Sequence, residues 1–437
     1  MKRVAFFTLG CKVNQYETEA MAEAFENQGY EQVGFHEAAD VYVINTCTVT
    51  GLSARKSRQA IRRAKQLNRD AIVAAVGCYP QTAREEVEKL AEVDIIAGTA
   101  DRMKIPDYVE EFKAGRKKVS AVGNIMKNHA FEDLKIERYK DRTRAFLKIQ
   151  EGCSQFCSYC IIPYARGPIR SRPAEEVIRE VRKLADGGFK EIVLTGIHIA
   201  SYGKDQGDIR LPELVSQIHE VDGIERIRIG SIEPTLVTEE FAAAVAQLGK
   251  LCPHYHISLQ SGCDETLKRM NRRYTTADYK KAVELLRASI PDVAITTDVM
   301  VGFPGESEDE FEKTFEFLSD IRFAKMHVFK YSPRKGTPAA EFDGQIEGAV
   351  KEERSARVLA LSEYCMTEFN NRFIGRNMPV LYEQEIKERA GFFEGLTPNY
   401  IRVLSAGNNS FIGKIINTKL VTVKEDYIAG ETAETEQ

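Results

Sequence analysis

The residues best suited to metal chemistry are three cysteines in the stretch GCSQFCSYC, at residues 152–160. Cys153, Cys157 and Cys160 follow C-x3-C-x2-C spacing, which lets one loop wrap a single metal centre, and no fourth cysteine follows nearby. A structural zinc ion takes four ligands, and a catalytic zinc ion keeps one position open. Iron–sulfur clusters are also held by thiolates, normally four. The spacing favours a [4Fe–4S] cluster with three protein ligands, whose open iron would bind a substrate or cofactor.

Three more cysteines come near the ends of apolar runs in the first hundred residues. Cys11, Cys47 and Cys78 go with the runs at 4–10, 40–50 and 71–79. Parallel strands present their carboxyl ends at one edge of a sheet, so these thiols are expected to converge. Free cysteines are also common in cores, but all three lie at loop junctions. The other cysteines, Cys252, Cys263 and Cys365, lack clustered partners and are expected to be structural or surface thiols.

Composition narrows the class of protein. The chain has 437 residues, enough for several domains, and a formal net charge of −4, which gives no overall basic signature. Its nine cysteines are an odd number, and the apolar run at residues 4–10 is too short to be expected as a signal peptide, which argues against a disulfide framework. No apolar stretch approaches the about 18 residues of a membrane span. We therefore expect a cytoplasmic protein with no membrane contact, whose nucleic-acid contacts come from local patches.

Alternating strand and helix patterns must position these cysteines. Residues 1–115 alternate apolar runs with helical patterns at 14–30, 53–69 and 84–93, which predicts an open parallel α/β domain. The polar segment 116–142 is predicted to be a linker. Residues 143–370 contain six further strand patterns separated mostly by helical ones, which predicts a partial (β/α)6 barrel with its site at the carboxyl ends. The six runs are 144–150, 190–196, 226–232, 254–260, 293–300 and 325–331.

The last part of the chain changes period. Residues 371–437 form short alternating runs that are split by Gly, Asn and Pro. This pattern predicts a small antiparallel β-barrel. The fold class is therefore α/β, with three domains of different architecture.

The cysteine loop directly after the first barrel strand resembles the signature of the radical S-adenosylmethionine (SAM) enzymes. This resemblance implies that SAM chelates the open iron and is cleaved by one electron to methionine and a 5′-deoxyadenosyl radical. Tyr159 resembles the family's aromatic residue near the adenine. Candidate SAM contacts at the ends of later strands are Ser258, Gln260, Ser261 and Gly302. A glycine such as Gly302 is equally at home in an ordinary turn.

Longer motifs resemble the methylthiotransferase family within this group. They are GCKVNQYET, NTCTVT and VGCYP around the first cysteines, and then IIPYARGPIRSRP, HISLQSGCDETLKRMNRRYT, VMVGFPGESEDEF and KYSPRKGTPAA. The resemblance implies that Cys11, Cys47 and Cys78 hold a second [4Fe–4S] cluster with an open iron, which takes part in sulfur delivery. It also implies that the C-terminal barrel is an RNA-binding module similar to a TRAM domain.

The branches of this family differ in substrate. One modifies isopentenyladenosine at position 37 of tRNA, one modifies N6-threonylcarbamoyladenosine (t6A) there, and one modifies a ribosomal-protein aspartate. GCKVNQYET, NTCTVT and RGPIRSRP most resemble the t6A branch. The implied reaction uses one SAM to methylate cluster-bound sulfur and a second to generate the radical that removes hydrogen from C2 of adenine. The implied partners are the anticodon stem-loop of tRNA carrying t6A, an electron donor such as a flavodoxin, and a sulfur donor. Two alternatives are the isopentenyladenosine branch and a non-enzymatic RNA-binding protein with structural zinc.

A basic helical pattern provides candidate RNA contacts. Residues 53–69 carry seven basic residues and no acidic one, and Arg55, Arg58, Arg62 and Lys65 share one face. Such a stripe is either a solvated surface or a site for phosphate contacts, and we favour the phosphate contacts. Arg166 and Arg170, which follow the cysteine loop, could steer the anticodon arm or form local ion pairs.

Overall fold

The computed structural model describes residues 2–134, 136, 143–207 and 209–432. Part of the predicted linker, residues 135 and 137–142, therefore lies outside the described residues. No helix in the described ranges is long and apolar enough to cross a membrane.

The N-terminal domain is an open sheet of six parallel strands in the order β2-β1-β3-β4-β5-β6. Its central strands are buried on both faces, as expected for a parallel sheet covered by helices. The strands are β1 (Lys2–Thr8), β2 (Tyr30–Val33), β3 (Val41–Thr46), β4 (Ile72–Gly77), β5 (Ile95–Ala97) and β6 (Val119–Ala121). The helices are α1 (Lys12–Asn27), α2 (Gly51–Leu67), α3 (Cys78–Thr82), α4 (Arg84–Glu88) and α5 (Ile105–Gly115). The predicted parallel α/β architecture is confirmed.

One edge of this sheet differs from the expected boundary. The strand β6 pairs in parallel with β5, yet it lies in the segment predicted to be a linker. Val119 is buried there. The N-terminal sheet therefore extends past residue 115, because even a three-residue strand completes its edge.

The central domain is an arc of six parallel strands, β7, β9, β10, β11, β12 and β13. Two ladders, β7-β9-β10 and β11-β12-β13, are joined through single parallel bridges such as Ile232 to Ile257. The strands are β7 (Arg144–Glu151), β8 (Arg170–Ser171), β9 (Glu191–Gly196), β10 (Arg226–Ile229), β11 (His254–His256), β12 (Ala294–Val301) and β13 (Lys325–Lys330). The helices are α6 (Ile162–Arg166), α7 (Ala174–Asp186), α8 (Leu211–His219), α9 (Glu239–Ala246), α10 (Asp264–Arg269), α11 (Thr276–Ser289), α12 (Glu308–Ile321) and α13 (Gly348–Asn371). Within the described ranges no ladder joins β13 to β7, so the predicted partial barrel is confirmed.

The two faces of each barrel strand have different chemistry. Ala145, Leu147 and Ile149 of β7 join the apolar core under the surrounding helices. Since side chains alternate along a strand, Phe146 and Lys148 face the lumen instead. The lumen is polar along other strands too, because Arg228 and His256 each lie between two core residues of their strands and so face the lumen.

The C-terminal domain is a closed five-stranded barrel in the order β14-β15-β16-β18-β17. Its strands are β14 (Asn377–Glu385), β15 (Phe392–Leu396), β16 (Arg402–Ala406), β17 (Ile415–Val423) and β18 (Ile428–Thr432). The prediction of a small barrel is confirmed, with one refinement: β16 and β18 pair in parallel, whereas the other pairs are antiparallel. The parallel pair is what closes the barrel.

The C-terminal barrel blocks the amino-terminal end of the central lumen. Arg228 of β10 donates to the carbonyl oxygen of Pro398 at 3.0 Å. The ring of Tyr400, in the same loop, stacks on His254 with centroids 4.5 Å apart. The lumen is therefore closed below and open at the carboxyl ends of its strands.

Candidate active site

The N-terminal cysteines gather at the carboxyl edge of the first sheet. Cys11 precedes α1, Cys47 follows β3, and Cys78 is the first residue of α3 directly after β4. Gly10 has a φ of 109°, and a Cβ atom there would lie 3.1 Å from the Cys47 sulfur. The chain at Cys11 thus passes directly against Cys47, which only glycine permits at this φ. Cys47 and Cys78 are buried, whereas Cys11 is exposed.

Cys78 interacts electrostatically with the other two N-terminal cysteines. Burial raises the pKa of the Cys78 thiol to about 11, with Arg166 opposing and the Cys47 and Cys11 thiols adding to the rise. A thiol with this pKa is protonated at neutral pH unless a cation or metal stabilises its thiolate. The Cys78 thiol therefore lies in a buried site, beside the other two thiols, that a positively charged metal centre would complete.

Arg166 connects this group to the barrel. Its Nε donates to the Cys78 sulfur at 3.2 Å, and its Nη1 pairs with Glu17 of α1 at 2.5 Å and with Glu151 of β7 at 3.2 Å. The side chain is completely buried. The prediction that Arg166 contacts RNA is therefore wrong, because its guanidinium is enclosed by carboxylates and a thiol.

The prediction that Arg170 contacts RNA is wrong for the same reason. Arg170 is buried and donates to the carbonyl oxygens of Asn128 at 3.0 Å and Arg166 at 2.9 Å. Its guanidinium holds the turn after the cysteine loop in place and does not reach a surface that RNA could contact.

The barrel cysteines lie on the loop that follows β7. The backbone amide of Cys153 donates to the Gly167 carbonyl at 3.0 Å, and that of Cys160 donates to the Cys157 carbonyl at 2.9 Å. Cys157 is buried, and Arg272 donates to its sulfur at 3.1 Å. Burial raises the pKa of Cys153 to about 11 and that of Cys160 to about 12. The loop therefore presents three thiols at the open end of the lumen, one of them beside a cation.

A polar network supports this loop from behind. Arg272 pairs with Glu233 at 2.8 Å, and Glu233 also lies 3.1 Å from Nε2 of His198. Gln155, inside the cysteine loop, donates to Glu233 at 3.3 Å. Sequence reasoning missed these residues, although Arg272 lies within one of the quoted motifs and Glu233 lies just after the third barrel strand. Their role is to fix Cys157 and the loop.

Both triads have the donor set that suits iron–sulfur clusters, because all six side chains are thiols and each triad has one thiol beside an arginine. In the described part of the chain, no three thiol, imidazole or carboxylate groups are already arranged around one point as ligands of a single ion. The residues fit the cluster by chemistry and position, and their role as metal ligands stays a prediction.

The predicted SAM contacts divide into two groups. Tyr159 packs against Phe303, with ring centroids 6.5 Å apart, beside the cysteine loop. Ser258 and Gln260 are partly exposed at the end of β11, where Gln260 adopts a φ of 72° and pairs with the backbone of β12. These three stay predictions for the SAM site.

Ser261 and Gly302 are explained without a ligand. Ser261 is buried, and its hydroxyl lies 3.2 Å from that of Thr314 on α12, so the prediction that it contacts SAM is wrong. The amide of Gly302 donates to Glu306 at 2.9 Å, and a Cβ atom there would lie 2.3 Å from the Lys351 side chain. Packing against α13 is a sufficient reason for that glycine.

The basic face of α2 is only partly free. Arg55 is exposed, and Arg62 is 59% exposed with Glu92 at 3.8 Å. Arg58 is half-buried and donates to the Tyr79 hydroxyl at 3.0 Å. Lys65 is committed to Asp94 at 2.8 Å, so the prediction that it contacts RNA is wrong. Arg55 and Arg62 remain predicted phosphate contacts.

The parallel barrel with its cysteine loop defines a radical SAM protein. The family model for the radical SAM superfamily matches residues 147–318, and that for the uncharacterized protein family UPF0004 matches residues 3–98. A solved radical SAM methyltransferase, TsrM of Kitasatospora setae, shares the fold with a TM-score of 0.57 at 16% identity, covering 78% of this chain and 75% of that chain.

Full-length relatives define the family. A threonylcarbamoyladenosine tRNA methylthiotransferase of Bacillus subtilis is 44% identical over 99% of this chain and 96% of its own length. One of Aquifex aeolicus is 39% identical over 95% of this chain and 99% of its own. A tRNA-2-methylthio-N(6)-dimethylallyladenosine synthase of Pelotomaculum thermopropionicum is 34% identical over 98% and 97%. The chain belongs to the radical SAM tRNA methylthiotransferase family.

Proposed function

We propose that this protein transfers a methylthio group to C2 of t6A at position 37 of tRNA. The observation that carries the proposal is that Arg166, which follows the barrel cysteine loop, donates to Cys78 of the N-terminal group and pairs with Glu151 of the barrel. Radical chemistry at one site and sulfur chemistry at the other must act on the same carbon, so the two sites must be held together. The t6A substrate is supported by relatives that carry this activity in their names at 44% and 39% identity.

In this proposal each triad holds a [4Fe–4S] cluster, and SAM binds at the open iron of the barrel cluster. Bound in this way, the clusters and SAM would supply a carbon-centred radical and a sulfur source. The protein's own residues position them: Arg272 and Glu233 fix Cys157, and Arg166 fixes Cys78. Removing hydrogen from C2 of adenine needs a radical, because this hydrogen is not acidic.

The proposal also includes the partners. The exposed Arg55 and Arg62 of α2, together with the C-terminal barrel, would contact the anticodon stem-loop. An electron donor such as a flavodoxin would reduce the barrel cluster, and a separate donor would supply sulfur. We expect the enzyme to act in the cytoplasm, where its proposed tRNA substrate would be met.

Mass spectrometry of tRNA nucleosides tests the proposal. Cells that lack the gene should lose the 2-methylthio group on t6A, and the wild-type gene should restore it, whereas a Cys157→Ala gene should not. Loss of the group on isopentenyladenosine with t6A unaffected would refute the proposal and favour the other tRNA branch. Anaerobically purified protein should contain about eight irons per chain. One zinc per triad would instead indicate a non-enzymatic RNA-binding protein.

A further inference from the structure

The lower part of the barrel lumen contains a cluster of charged and aromatic side chains from three domains, which we call the lumen floor. It combines the first residue of α1, residues of four central strands and the loop between β15 and β16. Its members are Lys12, Arg144, Glu191, Arg228, His254 and Tyr400. The residue directly before Lys12 is Cys11, a member of the N-terminal triad.

Lys12 differs from the other cations of the lumen in its surroundings. Its ammonium lies 5.7 Å from the ring centroid of Phe146 on β7 and interacts electrostatically with Tyr400. Among the residues that the structure describes, no carboxylate forms an ion pair with it. Lys148, two residues after Phe146, is by contrast paired with both Glu17 and Glu151.

The neighbouring arginines already form ion pairs with the nearby carboxylates. Arg144 pairs with Glu383 at 2.9 Å, and Arg228 pairs with Glu191 at 3.0 Å. Three cations of the lumen floor, Lys12, Arg144 and Arg228, are therefore balanced by two carboxylates, Glu191 of the floor and Glu383 of β14. The lumen floor carries a surplus of positive charge, and Lys12 is the cation that supplies it.

The pKa of the Tyr400 phenol, in the same cluster, reflects this surplus of positive charge. Burial alone would raise the pKa of Tyr400, but Lys12, Arg144 and Arg228 lower it below its usual value. An environment that favours a phenolate also favours a bound carboxylate. The lumen floor thus suits a ligand that brings one negative charge.

The lumen is open for such a ligand. His327 of β13 is exposed, and Asp298 of β12 keeps 30% of its side chain exposed beside His256, at 3.3 Å. These groups can donate to and accept from hydroxyl and amide groups of a ligand. A small polar ligand that enters from the open end would pass them before it reaches Lys12.

We propose that Lys12 binds the carboxylate of the threonylcarbamoyl group, which lies in the lumen while C2 of the adenine faces the triads. The inference rests on the proposed function. Cys11 and Lys12 are consecutive, and C2 of t6A is about seven bonds from the carboxylate carbon, so one substrate can engage both the thiol site and the ammonium. An isopentenyl group has no charge and would gain nothing from Lys12, so this residue selects between substrates.

The test compares anticodon stem-loops that carry t6A, its neutral methyl ester, or unmodified adenosine at position 37. Anaerobic equilibrium binding to the reconstituted enzyme is measured for wild type, Lys12→Met and Lys12→Arg. Lys104→Met, which removes an exposed lysine that pairs with Asp101, is the matched control. Wild type should prefer the acid over the ester by about 10- to 100-fold, as for a hydrogen bond between charged groups. Lys12→Met should lose this preference without weaker binding of unmodified adenosine, while Lys12→Arg and Lys104→Met should keep it.

Two outcomes would overturn the inference. One is equal affinity of wild type for acid and ester, which needs no variant to fold. The other is an unchanged preference in Lys12→Met. Lys12→Met could load less iron, and Lys12→Arg, which keeps the positive charge, is then the deciding variant. If Lys12→Arg loads iron normally but no longer prefers the acid over the ester, the inference is also overturned. Failure of the proposed function is a separate result: wild type would then form no 2-methylthio product from the t6A stem-loop.

Discussion

Replacing Arg166 by methionine removes a charge from the centre of the junction between the N-terminal domain and the barrel. The side chain is completely buried, and it contacts Glu17 of α1, Glu151 of β7 and the Cys78 thiol. It also donates to the side-chain oxygen of Asn14. Methionine has a similar length and fills the same space without the charge.

The magnitude follows from the charge balance around Arg166. The buried network has three cations, Arg102, Lys148 and Arg166, and three carboxylates, which are those of Glu17, Glu132 and Glu151. Without Arg166 one carboxylate charge is left uncompensated away from water. Breaking a buried ion pair in this way costs about 3–5 kcal/mol. That is a large fraction of the about 5–15 kcal/mol that stabilises a typical domain.

Urea unfolding of the apo protein, followed by fluorescence and circular dichroism, measures the effect. The chain has three domains, so midpoints are compared rather than a single free energy of unfolding. We expect Arg166→Met to shift the first midpoint to clearly lower urea. Adding Glu17→Gln should recover part of the loss, because it removes the surplus carboxylate charge. Coupled neighbours of this kind deviate from additivity by about 0.5–3 kcal/mol.

Arg55→Met is the control, because Arg55 lies on the exposed face of α2. The reasoning fails if Arg166→Met and Arg55→Met unfold at the same urea concentration, or if Glu17→Gln adds its full cost to Arg166→Met. Unchanged stability together with weaker tRNA binding in Arg166→Met would restore the sequence-based interpretation of this residue as an RNA contact.

Three further predictions concern the cysteines and the cations around them. Cys157→Ala should abolish SAM cleavage, measured as release of 5′-deoxyadenosine, whereas Cys47→Ala should keep part of this cleavage and lose methylthiolation. If both variants lost SAM cleavage while electron paramagnetic resonance still showed the barrel cluster, the two triads would not have these separate roles. Arg62→Ala should weaken tRNA binding and reduce the salt dependence of the affinity by about one phosphate contact. Lys65→Ala should leave this salt dependence unchanged because its ammonium is already paired. The same salt dependence in both variants would be the contrary result. Arg272→Gln should lower the iron affinity of the barrel site by about 10- to 100-fold. The affinity is measured in the Cys47→Ala background, and undiminished iron loading would show that Arg272 does not hold Cys157.

The strands and the cysteine positions were predictable because their signals are local. All six barrel strands coincide with apolar runs, and each N-terminal cysteine lies near the end of such a run. Two edge strands, β2 and β6, were missed because they have only four and three residues and little apolar pattern. Short strands of this kind depend on their neighbours in the sheet and not on their own sequence.

Three of the four site residues whose predictions were wrong are basic, and the errors at Arg166 and Lys65 have one cause. Arg166 meets Glu17 across 149 positions of sequence, and Lys65 meets Asp94 across 29. Local composition shows a positive charge but not the distant carboxylate that neutralises it. Since lysine and arginine are usually exposed, the sequence favoured a surface role for both. Only the packing of α1 against β7 and α6 shows that Arg166 is internal.

The helix α1 explains why function depends on the contact between domains. Its first turn starts at Cys11 and Lys12, and Glu17 lies little more than one turn later. Cys11 belongs to the N-terminal triad, Lys12 reaches the lumen, and Glu17 pairs with Arg166 of the barrel. One rigid element therefore fixes a proposed sulfur site, a proposed carboxylate site and the domain junction. Because the spacing along a helix is fixed, a shift of α1 would disturb all three together. Substrate choice and catalysis are thus coupled through the same helix, and variants at the junction should change both.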